Sequence, residues 1–333
     1  MDAVILVDGL GTRLRPLTLT QPKQMLPLGD RPMIEHVVAR LATYGVDRAV
    51  LSLGYRPDAF ADAYPDARCA GVELVYAVDP EPLDTAGAIR YSAGVAGIDA
   101  TFVAVNGDVI TTYDLAAQLA FHRASEALAT LHLHQVDDPS RFGVVPTDDD
   151  GRVLGFVEKP SREDAPSNWI NAGGYVLEPE VVDLIEDGPV SVERVTFPAL
   201  AASGRLYGYR EQSYWVDAGT PESYLAAVID RVEGRWGEPL DAVSAGASVH
   251  PTATVERSYI ADGAIVDADA EVVDSVVSAG AVIGRGAEVH RSIVGPAAVV
   301  GDGAMLSELC VVGGAARVEP ERELVGARIP DRP

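Results

Sequence analysis

Apolar positions recur in three rhythms along the chain. Short unbroken runs at residues 3–7, Arg48–Leu53, Val72–Val78 and 101–105 read as strands buried on both faces. Between the first two, Ile34, Val37, Val38 and Leu41 recur at helical spacing and predict a helix within residues 32–44. Further helices are expected from about Thr85, with Asp84 or Thr85 as cap if the segment is a plain helix start alone, over 115–128 with Asp114 as cap, and over 191–201. Residues 130–135 read as a strand carrying His132 and His134 on one face, which the pattern assigns to solvent. Residues 141–145 and 151–160 read as strands joined by an acidic turn. Strands alternating with helices predict a mixed, mostly parallel α/β sheet of Rossmann-like type with helices on both faces.

From Val243 the rhythm changes. Aliphatic residues stand at 243, 249 and 255, then 260, 266 and 272, then 277, 283 and 289, then 294, 300 and 306, with Val311 opening a further round. The period is 17, and three near-hexapeptides per round match a left-handed parallel β-helix with one inward aliphatic residue per side. Residues 1–236 are therefore expected to form one domain and 240–333 another, with 237–239 as linker. His250 and His290, weighed for the acyltransferase chemistry of some hexapeptide coils, lie in no polar cluster.

Composition narrows the field. The net charge of −24 argues against nucleic acid and anionic membrane, both of which need a basic footprint. No run of 18 apolar residues and no charged leader are seen, so the expected location is the cytoplasm. Cys69 and Cys310 have no metal-like spacing and are expected to be ordinary buried or half-buried thiols. Of 26 basic residues only Lys23 and Lys159 are lysine, and both fall inside motifs. They are expected to persist because a compact ammonium serves there where a guanidinium would not.

The chemistry is concentrated after the first strand. The loop carries Gly9, Gly11, Thr12, Arg13 and Arg15, with Lys23 following. Glycines bring backbone N–H groups close to phosphate oxygens, and the cations supply charge for a polyphosphate. Leu14 stands where a dinucleotide fingerprint needs its third glycine, and no Gly-Lys-Ser/Thr is present for a P-loop. Asp108, in Asn106-Gly107-Asp108 directly off a strand, suits a divalent cation held against phosphate.

The run Gly9-Leu-Gly-Thr-Arg-Leu-Arg-Pro-Leu-Thr18, then Pro22-Lys23-Gln24, resembles the signature of the sugar-1-phosphate nucleotidyltransferases. Four later motifs continue that resemblance, which is greatest to the mannose-1-phosphate guanylyltransferases: Pro82-Leu-Asp-Thr-Ala-Gly87, Asn106-Gly-Asp108, Glu158-Lys-Pro160 with Asn171-Ala-Gly173, and Tyr214-Trp-Val-Asp-Ala-Gly-Thr-Pro221. The resemblance implies nucleotide contacts at Leu6, Val7, Asp8, Gly9, Gly11, Thr12, Arg13, Lys23, Pro82, Thr85, Ala86, Gly87, Asn106 and Gly107. It implies catalytic roles for Arg13, Lys23, Asp108 and Asp217, with Mg²⁺ as cofactor on the two aspartates. Sugar-phosphate contacts are implied at Gly143, Glu158, Lys159 and Asn171. The small residues from Thr85 are expected to offer free N–H groups beside the base.

The implied reaction joins a nucleoside triphosphate and a sugar 1-phosphate, GTP and mannose 1-phosphate first among them, and the β-helix implies a homo-oligomer. Three positions depart from the pattern. Asp8 replaces a glycine, Asp84 replaces the glycine of P-L-G-T-A-G, and Gln24 stands where guanylyltransferases commonly have proline. Gln24 keeps open a thymidylyl- or uridylyltransferase acting on glucose 1-phosphate. Asp8 keeps open a non-catalytic subunit that senses a sugar nucleotide.

Overall fold

The computed structural model describes residues 1–7 and 9–330, so Asp8 lies outside the described residues. Contacts divide the chain into two units, one of residues 1–8 and 34–215, the other of residues 9–33 and 216–333.

The first unit is built on a mixed sheet. In chain order its elements are β1 (Asp2–Leu6), α1 (Met33–Thr43), β2 (Arg48–Leu53), α2 (Pro57–Ala63), β3 (Arg68–Cys69), β4 (Val72–Val78) and α3 (Asp84–Ala96). There follow β5 (Phe102–Asn106), β6 (Val109–Thr111), α4 (Leu115–Ala124), β7 (Ala129–Gln135), β8 (Gly143–Val144) and β9 (Val157–Glu158). The unit closes with β10 (Trp169–Leu177), α5 (Glu180–Asp183), α6 (Phe197–Ala202) and β11 (Leu206–Arg210). The strand order is β11-β7-β10-β5-β1-β2-β4-β3. The β5-β1-β2-β4 half is parallel, whereas β10 runs antiparallel to both β5 and β7.

The apolar runs become central strands because both faces are covered. Ala3, Val4 and Ile5 of β1 and Phe102, Val103 and Ala104 of β5 are fully buried. Each large aliphatic side chain so placed contributes about 1.5–3 kcal/mol. In α4, Asp114 caps as expected, accepting from the amides of Ala116 and Ala117.

Four expectations are corrected here. His132 is fully buried rather than solvent-facing, stacked on Tyr113 with ring centroids 3.9 Å apart. Strand β7 is an interior strand, and the segment ending at Tyr113 covers the face that a strand read in isolation leaves open. Neither Asp84 nor Thr85 caps α3; Leu83 occupies that position with no side-chain cap. The strands expected at 141–145 and 151–160 shrink to the two-residue pair β8 and β9, joined by antiparallel bonding. The helix expected at 191–201 opens with a wide π-type turn, Val192–Thr196, capped by Ser191, before α6 begins.

A short strand, β12 (Trp215–Asp217), leads the chain into the second unit, where Thr220 caps α7 (Pro221–Val232). From Ser248 the chain winds as a β-helix of three parallel five-stranded sheets. Val249, Val266, Ile283, Val300 and Val318 stack inward along one side, as Ile260, Val277, Val294, Val312 and Ile329 do along another. The inward residue of the fifth round is Val312, not Val311. One extra residue enters at the corner of Glu308 and Leu309, both left-handed at φ 54° and 68°, and turns Val311 outward. A buried ladder runs beside the core: the Ser275 amide donates to Ser258 Oγ at 2.9 Å and the Ser292 amide to Ser275 Oγ at 3.0 Å. In the last rung the Ala327 amide donates to Cys310 Sγ at 3.3 Å. Cys69 and Cys310 are both buried and unbridged. No helix among the described residues is long and apolar enough to cross a membrane.

Candidate active site

The parallel pairing of β1 with β5 places Leu6 opposite Asn106, so both strands deliver their loops at the same carboxyl edge. The Gly107 amide donates to the Leu6 carbonyl at 2.9 Å. A Cβ at Gly107 would fall 2.7 Å from Val7 Cγ1, which explains the glycine between Asn106 and Asp108. Asp108 is only 9% exposed at the mouth of that edge. Gly173 holds a left-handed φ of 78°, and a Cβ there would lie 2.5 Å from Asn106 Nδ2, so glycine is called for on both counts. Asn106 and the Asn171-Ala-Gly173 segment are thereby in contact.

Around them sit the other residues expected to meet a sugar phosphate. Asn171 donates through Nδ2 to Tyr175 Oη at 2.9 Å and accepts the Gly173 amide through Oδ1 at 3.2 Å, which fixes its rotamer. The Ala172 carbonyl accepts from Trp215 Nε1 at 2.9 Å. Gly143 pairs with Glu158 across β8 and β9, and a Cβ at Gly143 would lie 3.0 Å from Glu158 Oε2. Glu158 Oε1 is 2.9 Å from Lys159 Nζ, and the Lys159 side chain stays 61% exposed at a left-handed φ of 47°. One edge of the first unit thus carries two carboxylates, two carboxamides and an ammonium around backbone kept bare by Gly143 and Gly173.

The Thr-Ala-Gly segment differs from expectation. The amides of Ala86 and Gly87 both donate to the Val190 carbonyl, at 2.8 and 3.2 Å, and both residues are buried. Thr85 Oγ1 donates to Glu193 at 2.9 Å and accepts the Val192 amide at 2.8 Å. These N–H groups are committed to the strap at 190–193, because residues 188–190 lie directly over the start of α3. Exposed Pro82 and Asp84 are what the motif turns outward.

In the second unit the glycine loop folds as tight 3₁₀ turns at Thr12–Leu14, Leu17–Leu19 and Lys23–Met25. The Gly11 carbonyl accepts both the Leu14 amide at 2.9 Å and Thr18 Oγ1 at 2.8 Å. Gly11 is left-handed at φ 58°, and a Cβ would press on Thr18 and Lys23. A Cβ at Gly9 would lie 3.8 Å from Lys23 Nζ, so the ammonium is carried against the glycine backbone. Arg13 and Thr12 are exposed.

Asp217 reaches the same place. Its Oδ1 accepts the Gly219 amide at 2.9 Å, and a Cβ at Gly219 would meet Asp217 Oδ1 at 2.7 Å and Arg13 Nη2 at 2.8 Å. Arg13, Asp217 and Gly219 converge from opposite ends of the sequence. That the glycine of Asp217-Ala-Gly219 is there to admit the Arg13 guanidinium was not legible in the sequence. Gln24 is 1% exposed, packed inside the loop rather than presented outward.

Among the described residues no group of three or more His, Cys, Asp or Glu is arranged to hold a metal ion.

The chain belongs to the nucleotidyl transferase family, whose model matches residues 2–233. A second model, the GMPPB C-terminal domain, matches residues 239–331. Mannose-1-phosphate guanylyltransferase of Mycobacterium tuberculosis is 44% identical over 265 residues, covering 76% of this chain and 72% of that protein. Mannose-1-phosphate guanyltransferase of Debaryomyces hansenii is 42% identical over 233 residues, covering 69% of this chain and 64% of that protein. Among solved structures, HddC of Yersinia pseudotuberculosis matches at 28% identity and a TM-score of 0.60, covering 68% of this chain and 97% of that one. The same protein complexed with GMP-PN matches at a TM-score of 0.59.

Proposed function

We propose that this chain transfers a guanylyl group from GTP to mannose 1-phosphate, giving GDP-mannose and pyrophosphate. The observation that carries the reading is the 44% identity to the M. tuberculosis enzyme of that name across 76% of the chain. The side chains support it. Arg13 and Lys23 lie on one loop with bare glycine backbone, the set that a triphosphate and a departing pyrophosphate require. Lys159 would bind the phosphate of the incoming sugar, while Glu158 and Asn171 accept and donate hydrogen bonds to its hydroxyls, with Gly143 and Gly173 leaving room for the ring.

The nucleophile is a phosphate oxygen already ionised at neutral pH, so no general base is called for. Rate comes from alignment of that oxygen with the α-phosphorus and from neutralised charge. Asp108 and Asp217 would hold Mg²⁺, which when bound supplies positive charge to the phosphate oxygens. The Gly219 amide fixes the Asp217 carboxylate for that purpose. Exposed Pro82 and half-buried Thr85 would flank the base, while Ala86 and Gly87 support them from below.

Gln24 is 1% exposed and packs the loop from inside, so the choice of GTP over a thymidylyl or uridylyl donor rests on the identity to the guanylyltransferases. The test is pyrophosphate release with Mg²⁺, with GTP, dTTP, UTP and ATP each paired with mannose 1-phosphate and glucose 1-phosphate. Turnover confined to GTP and mannose 1-phosphate is expected. No turnover with any pair, while a sugar nucleotide still binds, would make the chain a sensing subunit and overturn the reading.

A further inference from the structure

The phosphate-binding loop belongs, by its contacts, to the same compact unit as the β-helix. One contact between them sits in the final rounds. Pro16, buried in the loop three residues after Arg13, lies over Gly313; a Cβ added at Gly313 would come within 3.0 Å of Pro16 Cβ and 3.1 Å of Pro16 Cγ. Its other near neighbour is the Ile329 carbonyl at 3.2 Å, which accepts the Gly313 amide at 2.7 Å. Gly313 is not at a left-handed φ, so conformational freedom is not what it provides. What it provides is the missing methyl. Neither neighbour is the far end of a flexible side chain: one is a proline ring, the other a backbone carbonyl stacked in the next round.

The tie is relayed to the cations. Between Pro16 and Arg13 the chain is a 3₁₀ turn, closed by the Leu14 amide on the Gly11 carbonyl and the Arg15 amide on the Thr12 carbonyl. Thr18, just past Pro16, returns a hydrogen bond to that Gly11 carbonyl at 2.8 Å. The loop from Gly11 to Thr18 is therefore a closed unit that meets the β-helix at Pro16. Further along, the Pro27 carbonyl accepts from Tyr224 Oη of α7 at 2.6 Å, and a Cβ at Gly29 would collide with Leu240.

We propose that Gly313 is a positioning residue for the reaction: by seating Pro16, the last rounds of the β-helix set the height of the loop that presents Arg13 to the triphosphate. The proposal rests on the reading of that loop as the triphosphate site. In tightly packed matter a displacement of a few tenths of an ångström is not absorbed locally, and misplacement of a charge-bearing group costs rate steeply.

The test compares Gly313→Ala and Gly313→Val with Gly314→Ala. At Gly314 an added Cβ meets only ordinary contacts, 3.5 Å from the Pro296 carbonyl. The expected result is a graded rise in KM for the triphosphate, about tenfold for the valine variant, with KM for the sugar phosphate unchanged. Gly314→Ala should match the parent protein in both KM values and in melting temperature. Tryptic nicking after Arg13, read without any ligand, should rise in the same order. In a Pro16→Gly background, which removes both the Cβ and the Cγ that the new methyl meets, the Gly313→Ala effect should shrink to what the Ile329 carbonyl contact leaves. If Gly313→Ala behaves as Gly314→Ala does, or if both KM values and the melting temperature move together, Gly313 is structural only and the proposal is overturned. A parent protein that releases no pyrophosphate refutes the nucleotidyltransferase reading instead, and the nicking series still reports whether Gly313 holds the loop.

Discussion

Gly87 lies in the first turns of α3, where alanine is ordinarily the better helix former by about 1 kcal/mol. The structure reverses the sign. A Cβ at Gly87 would stand 2.3 Å from the Gly188 carbonyl oxygen, and backbone of a neighbouring segment cannot rotate away as a side-chain tip does. Making room means lifting the strap at 188–193. That strains the two bonds from the Ala86 and Gly87 amides to the Val190 carbonyl, each worth about 0.5–1.5 kcal/mol net. Overpacking itself costs about 1–3 kcal/mol. Against the propensity gain, Gly87→Ala is expected to destabilise by about 2 kcal/mol. Gly94 in the same helix is the internal control: it is exposed and a Cβ there meets nothing within 4 Å. Gly94→Ala should be neutral or stabilising by up to about 1 kcal/mol. Denaturant unfolding of the two variants beside the parent protein reads both signs. Equal shifts in the same direction would refute the claim that the strap fixes Gly87.

Asp108→Asn and Asp217→Asn should each lower pyrophosphate release by about 100-fold or more while leaving unfolding midpoints near the parent value, and EDTA should abolish turnover until Mg²⁺ is restored; full activity of either variant would remove it from the metal site. Burial lowers the pKa of His132 from 6.5 to about 3, with His134 beside it acting in the same direction. The folded state therefore resists a proton that the unfolded chain accepts: the stability due to this group is whole above pH 6.5 and is lost as pH falls from there toward 3. The slope is about 1.4 kcal/mol per pH unit for one histidine, and His132→Phe should flatten it in acid unfolding curves; an unchanged slope would acquit His132. Lys23→Arg and Lys159→Arg should both lose activity. Lys23 has its ammonium laid against Gly9, and Lys159 pairs with Glu158 at 2.9 Å from a left-handed backbone. Wild-type rates in both would show that any cation serves.

Periodicity alone determined the elements that are buried on every side. The runs that became β1, β2 and β5, the α4 cap at Asp114 and the inward stacking of the coil were legible because hydrophobic burial repeats with the geometry of the backbone. The motifs were legible for a related reason, since chemistry on polyphosphate calls for glycine and cations in one short loop.

What the sequence could not determine is set by contacts between distant segments. His132 is interior because a segment some twenty residues earlier stacks Tyr113 upon it. Val312 rather than Val311 points inward because one corner, at Glu308 and Leu309, absorbs an extra residue without breaking the stack. The amides of Ala86 and Gly87 are occupied because Val190 crosses them. Gly219 is bare because Arg13 arrives there, and Gly313 because Pro16 does. Local patterns encode what a segment buries; only the tertiary structure decides which neighbour it is buried against.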